Sequence, residues 1–352
     1  MRENFCAAPW SGLSLDPDGQ GKVCCINLAR TPITDFSQVK TSPVFTDIRA
    51  AVIEDLQHPS CKQCWDREAS GDLDSRRSTY QYADFFHDLE STASFQLEHL
   101  DLRWSNTCNL NCVYCSPTYS SRWADLQGIT QKFRIFPTVT DSDLSNLKIL
   151  QLAGGEPLLI KENLDLLERL LKINPAINIE ITTNLTSIHN NKIYQILKCF
   201  NSVTWVVSFE SIGQKFEYIR NGANWLKFQA NLSQLAVDFL NIHVNMVYFP
   251  LSAYSIIDAI NVALNHVLPE NVFIVSQFGG HGFDSVGQHA LQLINQTNIQ
   301  RSSQLPEILK QRLSNQIQLS NTQRSTTYLP QYEEFDQLTN QNHRLIFSEL
   351  YE

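Results

Sequence analysis

From about residue 95 the chain alternates two hydrophobic patterns. Apolar runs of strand length recur near 97–103 (LEHLDLR), 147–153 (LKILQLA), 177–183 (INIEITT), 203–209 (VTWVVSF), 241–248 (NIHVNMVY) and 272–276 (VFIVS). Between them, apolar positions repeat at helical spacing, over 164–173, 192–197, 224–239 and 252–266. Strand and helix in strict alternation predict βα units on a parallel sheet, with the helices covering it. Six units are too few to close a (β/α)8 barrel, so the expected fold class is α/β, a partial (β/α)6 TIM-like barrel. Upstream, Phe45, Ile48, Val52, Ile53 and Leu56 predict a helix over 44–56, and Asp16-Pro17-Asp18-Gly19 predicts a tight turn between two short strands. Beyond residue 300 the chain becomes rich in Gln, Ser, Asn and Thr, with helices expected over 306–319 and from Pro330. The domain boundaries read from these shifts are 1–94, 95–300 and 301–352.

Composition narrows the setting. The start, MRENFCAAPW, lacks an apolar core of signal-peptide length, and no apolar run reaches about 18 residues, so a cytoplasmic protein without a membrane span is expected. Twenty-seven basic against 36 acidic residues give a net charge of −9, which disfavours phosphate-driven nucleic-acid binding. Most of the 9 cysteines fall in short-spaced groups, which suits metal binding in a reducing compartment better than a disulfide framework.

The densest chemistry is Cys108-Asn109-Leu110-Asn111-Cys112-Val113-Tyr114-Cys115. Three thiolates at C-x3-C-x2-C spacing hold a 4Fe-4S cube while leaving one iron open to a ligand from outside the protein. Zinc fingers need paired C-x2-C or His arms, which this spacing does not supply. A second group, Cys6, Cys24 and Cys61-Lys62-Gln63-Cys64, has enough thiolates to close a cube completely, or to hold a structural zinc. Cys25, next to Cys24, is the alternative ligand. The isolated Cys199 is expected as a buried core thiol.

In parallel α/β folds, functional residues gather at the carboxyl ends of the strands. There stand Gly154-Gly155-Glu156-Pro157, Asn184, Ser208-Phe209-Glu210 and Gly279-Gly280-His281-Gly282; Tyr218-Ile219-Arg220-Asn221-Gly222 follows the fourth strand, its Arg220 either a fork for a carboxylate or a surface helix-end arginine.

The cysteine loop followed by Gly154-Gly155-Glu156-Pro157 resembles the radical S-adenosylmethionine (SAM) superfamily. The resemblance implies that Cys108, Cys112 and Cys115 ligate a SAM-binding 4Fe-4S cluster and that Tyr114 neighbours the adenine. It also implies that Glu156 meets the SAM ammonium beside the exposed backbone groups of Gly154 and Gly155, that Ser208 and Glu210 contact either the ribose hydroxyls or the SAM carboxylate, and that Asn184 and Arg220 are further SAM contacts. Glu210 stands where Asp is commoner in the family. The spacing from Cys6 through Gly19 and Cys24 to Cys61 and Cys64 resembles the twitch module, a shortened SPASM domain with an auxiliary 4Fe-4S cluster, here placed before the core. Trp65, Glu68, Gly71, Ser75, Arg76 and Arg77 resemble the linker that follows it, with Arg76 or Arg77 either lining a substrate entrance or ending a solvated helix. The segment 335–352 resembles the tails of such proteins, expected across the barrel's open side. Relatives of this kind often mature ribosomally made peptides, by crosslinking or by backbone cleavage such as tyramine excision. A peptide substrate, a separate peptide-recognition protein and an external electron donor are therefore expected. A radical SAM dehydrogenase or rearrangement enzyme on a small molecule is the alternative, and a non-catalytic cluster-bearing scaffold subunit a third.

Overall fold

The structure is a computed structural model describing residues 4–69, 95–130, 133–276, 288–322 and 329–350. Its nine strands are β1 (Gly12–Leu15), β2 (Gln20–Lys22), β3 (Thr31–Pro32), β4 (His99–Leu102), β5 (Ile149–Leu152), β6 (Asn178–Thr183), β7 (Ser202–Ser208), β8 (Ile242–Tyr248) and β9 (Val272–Ser276). They hydrogen-bond in the order β3-β2-β1-β4-β5-β6-β7-β8-β9, an open α/β sheet. Each of the six expected βα strands is present, as β4 to β9. The chain divides into two compact units. One comprises Met1–Thr107, Gln131–Ile181 and Asn190–Val203, the other Cys108–Thr130, Thr182–His189 and Thr204–Glu352.

In the first unit the expected hairpin forms at Asp16-Pro17-Asp18-Gly19. Gly19 donates its N–H to Asp16 O at 2.9 Å and adopts φ 80°, a left-handed conformation that glycine enters without a steric penalty. β1 then pairs antiparallel with β2 and parallel with β4, so the N-terminal hairpin extends the sheet. Period-two alternation sorts the side chains. Leu100, Leu102, Leu150, Leu152, Ile179 and Ile181 are buried on one face, each contributing about 1.5–3 kcal/mol. On the other face Ser14, Asp101, Gln151 and Glu180 stand in one register row. Ser14 Oγ donates to Asp101 at 3.2 Å and Gln151 Nε2 to Glu180 at 2.7 Å.

In the second unit β8 pairs in parallel with β7 and β9. Trp225 and Phe228 of helix Trp225–Asp238 pack on Phe216 of helix Gly213–Ile219. The C-terminal segment docks on that same short helix. Phe335 and Phe347 both lie 5.3 Å from the Tyr218 ring, and Tyr218 donates to Asp336 at 2.8 Å.

Several expectations shift. The helix expected over 44–56 is Pro43–Ile53, ending before Asp55, which turns left-handed at φ 59°; Ile53, in its last turn, and Leu56, beyond it, are exposed. The one expected over 252–266 is broken into Pro250–Ala253 and Ile256–Ala263. Cys199 is exposed, not a core thiol. Helix Lys192–Leu197 buries Ile193, Tyr194 and Leu197, and the chain turns out at Cys199 before Phe200 re-enters the core. Gly71, Ser75, Arg76, Arg77 and Gly279 to Gly282 lie outside the described residues. No described helix is long and apolar enough to cross a membrane.

Candidate metal and cofactor sites

The cysteine loop begins six residues past the end of β4 and belongs to the second unit. Leu110, Asn111 and Val113 are buried, which leaves the three cysteines part-exposed between them. Two segments hold the loop through its backbone. Asn111 N–H donates to Asn221 O at 3.1 Å and Val113 N–H to Ile219 O at 2.8 Å, so the Tyr218 to Gly222 motif backs the loop. Gly222, at φ 98°, approaches the Asn109 carbonyl where a Cβ would be tight against it. From the other side, Ser120 Oγ donates to Leu110 O at 2.6 Å, Ser121 Oγ to Cys108 O at 3.1 Å and Trp123 Nε1 to Cys112 O at 2.7 Å.

These supports bring Cys112 within electrostatic reach of Cys108 and Cys115. Burial pushes the Cys112 thiol well up, partly offset by the Arg220 guanidinium, and its two cysteine neighbours push it further. Burial likewise pushes Cys115 up to about 11, against the Ser116 backbone bond and Arg220. Thiols held so high keep their protons until a metal displaces them. Both polar atoms of the Asn111 side chain are buried with no hydrogen-bond partner among the described residues, which marks a place where a further group would be accommodated. Asn184 donates to Asn109 Oδ1 at 3.1 Å and reaches Cys108 Sγ at 3.9 Å.

Beside the loop, Arg220 grips Glu210 with both arms of its fork, Nε to Oε1 at 3.1 Å and Nη2 to Oε2 at 2.7 Å. Its Nη2 also donates to Tyr114 OH at 2.5 Å, and that hydroxyl donates to Glu210 Oε2 at 3.2 Å. Burial alone would lower the Arg220 pKa, but Glu210, Tyr114 and Cys112 reverse the sign, so the guanidinium stays charged. Tyr114, Glu210 and Arg220, expected as separate SAM contacts, thus form one hydrogen-bonded cluster. Ser208 ends β7 beside Asn245 of β8, half-buried.

In the first unit, Gly154-Gly155-Glu156 runs on from β5 against the extension of β4. Gly155 N–H donates to Ser105 O at 3.1 Å and Glu156 N–H to Thr107 O at 2.7 Å. A Cβ at Gly155 would collide with the Thr107 carbonyl, so only glycine fits. Glu156 is fully buried, its carboxylate accepting from Leu158 N–H at 3.2 Å. Asn163 locks this turn, donating to Pro157 O at 3.0 Å and accepting from Trp104 Nε1 at 2.8 Å.

The same unit holds the second cysteine group. Cys6, Cys24, Cys61 and Cys64 line one cavity of about 30 Å³, whereas Cys25 is not among its lining residues. Cys24 is pushed well up, first by burial and then by Cys25, Cys6 and Cys64. Lys22, itself buried, pairs with buried Asp16 at 2.8 Å and donates to Cys25 O at 2.9 Å, tying down the Cys24-Cys25 turn. Among the described residues, no three His, Cys, Asp or Glu side chains stand close enough to hold a single metal ion.

Sequence reasoning missed Ser120, Ser121, Trp123 and Asn163. Ser120, which caps helix Ser121–Leu126 by accepting from Trp123 N–H at 3.2 Å, had a readable signal as a serine preceding a helix. Asn163 had none, being one polar position on an amphipathic helix.

Residues 102–260 match the family model described as Radical SAM superfamily. The chain is 27% identical over 154 residues to a GTP 3',8-cyclase of Clostridium botulinum, covering 43% of this chain and 48% of that protein. It is 31% identical over 96 residues to the GTP 3',8-cyclase of Pelotomaculum thermopropionicum, covering 27% and 30%. The match thus spans about half the length, or less, of these curated relatives. Similar solved structures include Streptococcus suis SuiB bound to precursor peptide SuiA, with TM-score 0.42, 14% identity, and 84% and 69% of the two chains covered. Another is native anSMEcpe with bound AdoMet, with TM-score 0.41, 16% identity, and coverage of 56% and 58%. Over residues 102–260, this chain carries a domain of the radical SAM superfamily.

Proposed function

We propose that this chain is a two-cluster radical SAM enzyme that matures a ribosomally synthesised peptide. The observation that carries the reading is the loop in which part-exposed Cys112 lies within electrostatic reach of Cys108 and Cys115, inside the family match. Those three thiolates hold the SAM-binding 4Fe-4S cluster, and Cys6, Cys24, Cys61 and Cys64 hold an auxiliary one in a twitch-like module. When bound, the first cluster and SAM supply a 5'-deoxyadenosyl radical that takes a hydrogen atom from substrate, with the electron coming from an external donor.

The remaining residues bind and orient. Gly154 and Gly155 let the chain after β5 pack closely on the extension of β4, and Glu156 at that turn is the carboxylate for the SAM ammonium. Asn184 and Ser208 offer hydrogen bonds at strand ends. Arg220, held by Glu210, presents a fixed positive charge to the SAM carboxylate, and Tyr114 stands in the same hydrogen-bonded cluster.

The four-cysteine module upstream of the core favours a peptide substrate, since modules of this kind recur in peptide-maturing relatives. Recognition of a leader region then falls to a separate protein. A second reading, a small nucleotide substrate, is favoured by the relatives named GTP 3',8-cyclase. Anaerobic incubation with SAM, dithionite and either candidate precursor peptides from neighbouring genes or GTP separates the two. The expected result is 5'-deoxyadenosine together with a peptide that has lost two hydrogens or a backbone fragment, while GTP is untouched. Consumption of GTP with every peptide unaltered would reverse the assignment.

A further inference from the structure

The cavity lined by Cys6, Cys24, Cys61 and Cys64 contains a hydrogen-bond donor whose direction is fixed. Asn27 is 4% exposed and lines the same cavity. Its Oδ1 accepts from Ala29 N–H at 3.0 Å, which orients the amide and leaves Nδ2 to donate to Ser60 Oγ at 3.0 Å and Cys61 Sγ at 3.4 Å. The segment carrying Ser60 is anchored in turn. Leu28 N–H donates to Ser60 O at 3.0 Å, and Ser60 Oγ lies 2.7 Å from His58 Nδ1. The chain around Asn27 is therefore stitched to the segment around Cys61, and the amide proton is aimed at a sulfur.

We propose that Asn27 is the positioning residue that sets the reduction potential of the auxiliary cluster, through its N–H···S contact with Cys61. This rests on the reading that the four cysteines hold a 4Fe-4S cluster. An N–H dipole directed at a ligating sulfur stabilises the added negative charge when the cluster takes one electron from a one-electron donor such as dithionite. The oxidised state gains less, so the contact raises the potential. No bond is made or broken and only the electron is transferred.

The test uses the full-length chain with Cys108, Cys112 and Cys115 all replaced by Ala, which isolates the auxiliary site. Asn27→Leu removes the donor, and Asn27→Asp removes it while keeping the acceptor for Ala29 N–H should the leucine variant fold poorly. Redox titration followed by electron paramagnetic resonance, with iron analysis, is expected to give unchanged iron and a lower midpoint in both. At a fixed potential the ratio of reduced to oxidised cluster should drop about tenfold, which is 59 mV for one electron. An unchanged midpoint with iron retained overturns the proposal, and loss of iron from both variants reassigns Asn27 to cluster assembly. A parent protein that binds zinc and no iron instead overturns the cluster reading itself.

Discussion

Alanine at Cys108, Cys112 or Cys115 is expected to bring 5'-deoxyadenosine formation down to background. Each thiol is one of only three the loop offers, so loss of any one leaves the cube two protein ligands. The drop should exceed the 10–100-fold that changes outside the ligand shell cost, by analogy with other metal sites. The loop itself should survive substitution. Its position is set by backbone bonds to Asn221 and Ile219 and by Ser120, Ser121 and Trp123, none of which uses a cysteine side chain. Chromatography of products after anaerobic incubation with SAM and dithionite reads the result, and circular dichroism checks the fold. Turnover retained by all three variants would remove the loop from the chemistry.

Arg220→Met is expected to cost about 3–5 kcal/mol of stability, more than the loss of any exposed ion pair. Arg220 and Glu210 have side chains 4% and 0% exposed and stand 2.7 Å apart. Removing the guanidinium strands a carboxylate where no water reaches it. Tyr114 loses the donor on its hydroxyl oxygen at the same time. The double variant Arg220→Met with Glu210→Gln should recover most of the loss, because a neutral amide is far cheaper to bury than an unpaired charge. Denaturant titration compares the three proteins. A single variant as stable as wild type would mean that the pair does not hold this part of the unit together.

The fold was legible because its signal was periodic. All six βα strands followed from apolar runs near their observed positions, and the helix at Lys192–Leu197 fell where the pattern put it. Breaks were less visible. Helix Pro43–Ile53 ends before a left-handed Asp55, and nothing in an apolar repeat announces that. Cys199 followed the residues around it in the reading but not in space, since a turn one residue past a helix cap rotated it outward. At the site, the cysteine spacing was visible because metal chemistry dictates it. Glu210 was picked from a strand end and Arg220 from the fork its guanidinium offers a carboxylate, and their mutual pairing appeared only once ten residues of chain had folded back. Asn27, Ser120 and Asn163 act through pairs or trios of hydrogen bonds that exist only in the folded chain, and of the three only Ser120, preceding a helix, had a signal that residue type could give.

The most direct test of the two-cluster account is a metal and sulfide count on anaerobically reconstituted protein, with and without the Cys108, Cys112 and Cys115 triple Ala substitution. Two 4Fe-4S clusters require about eight irons per chain in the wild type and about four in the triple variant. The four remaining irons should disappear on further replacement of Cys61 and Cys64, whose thiols line the cavity in the first unit. A wild type with about four irons, and a triple variant with none but one bound zinc, would contradict the account and make the N-terminal site structural.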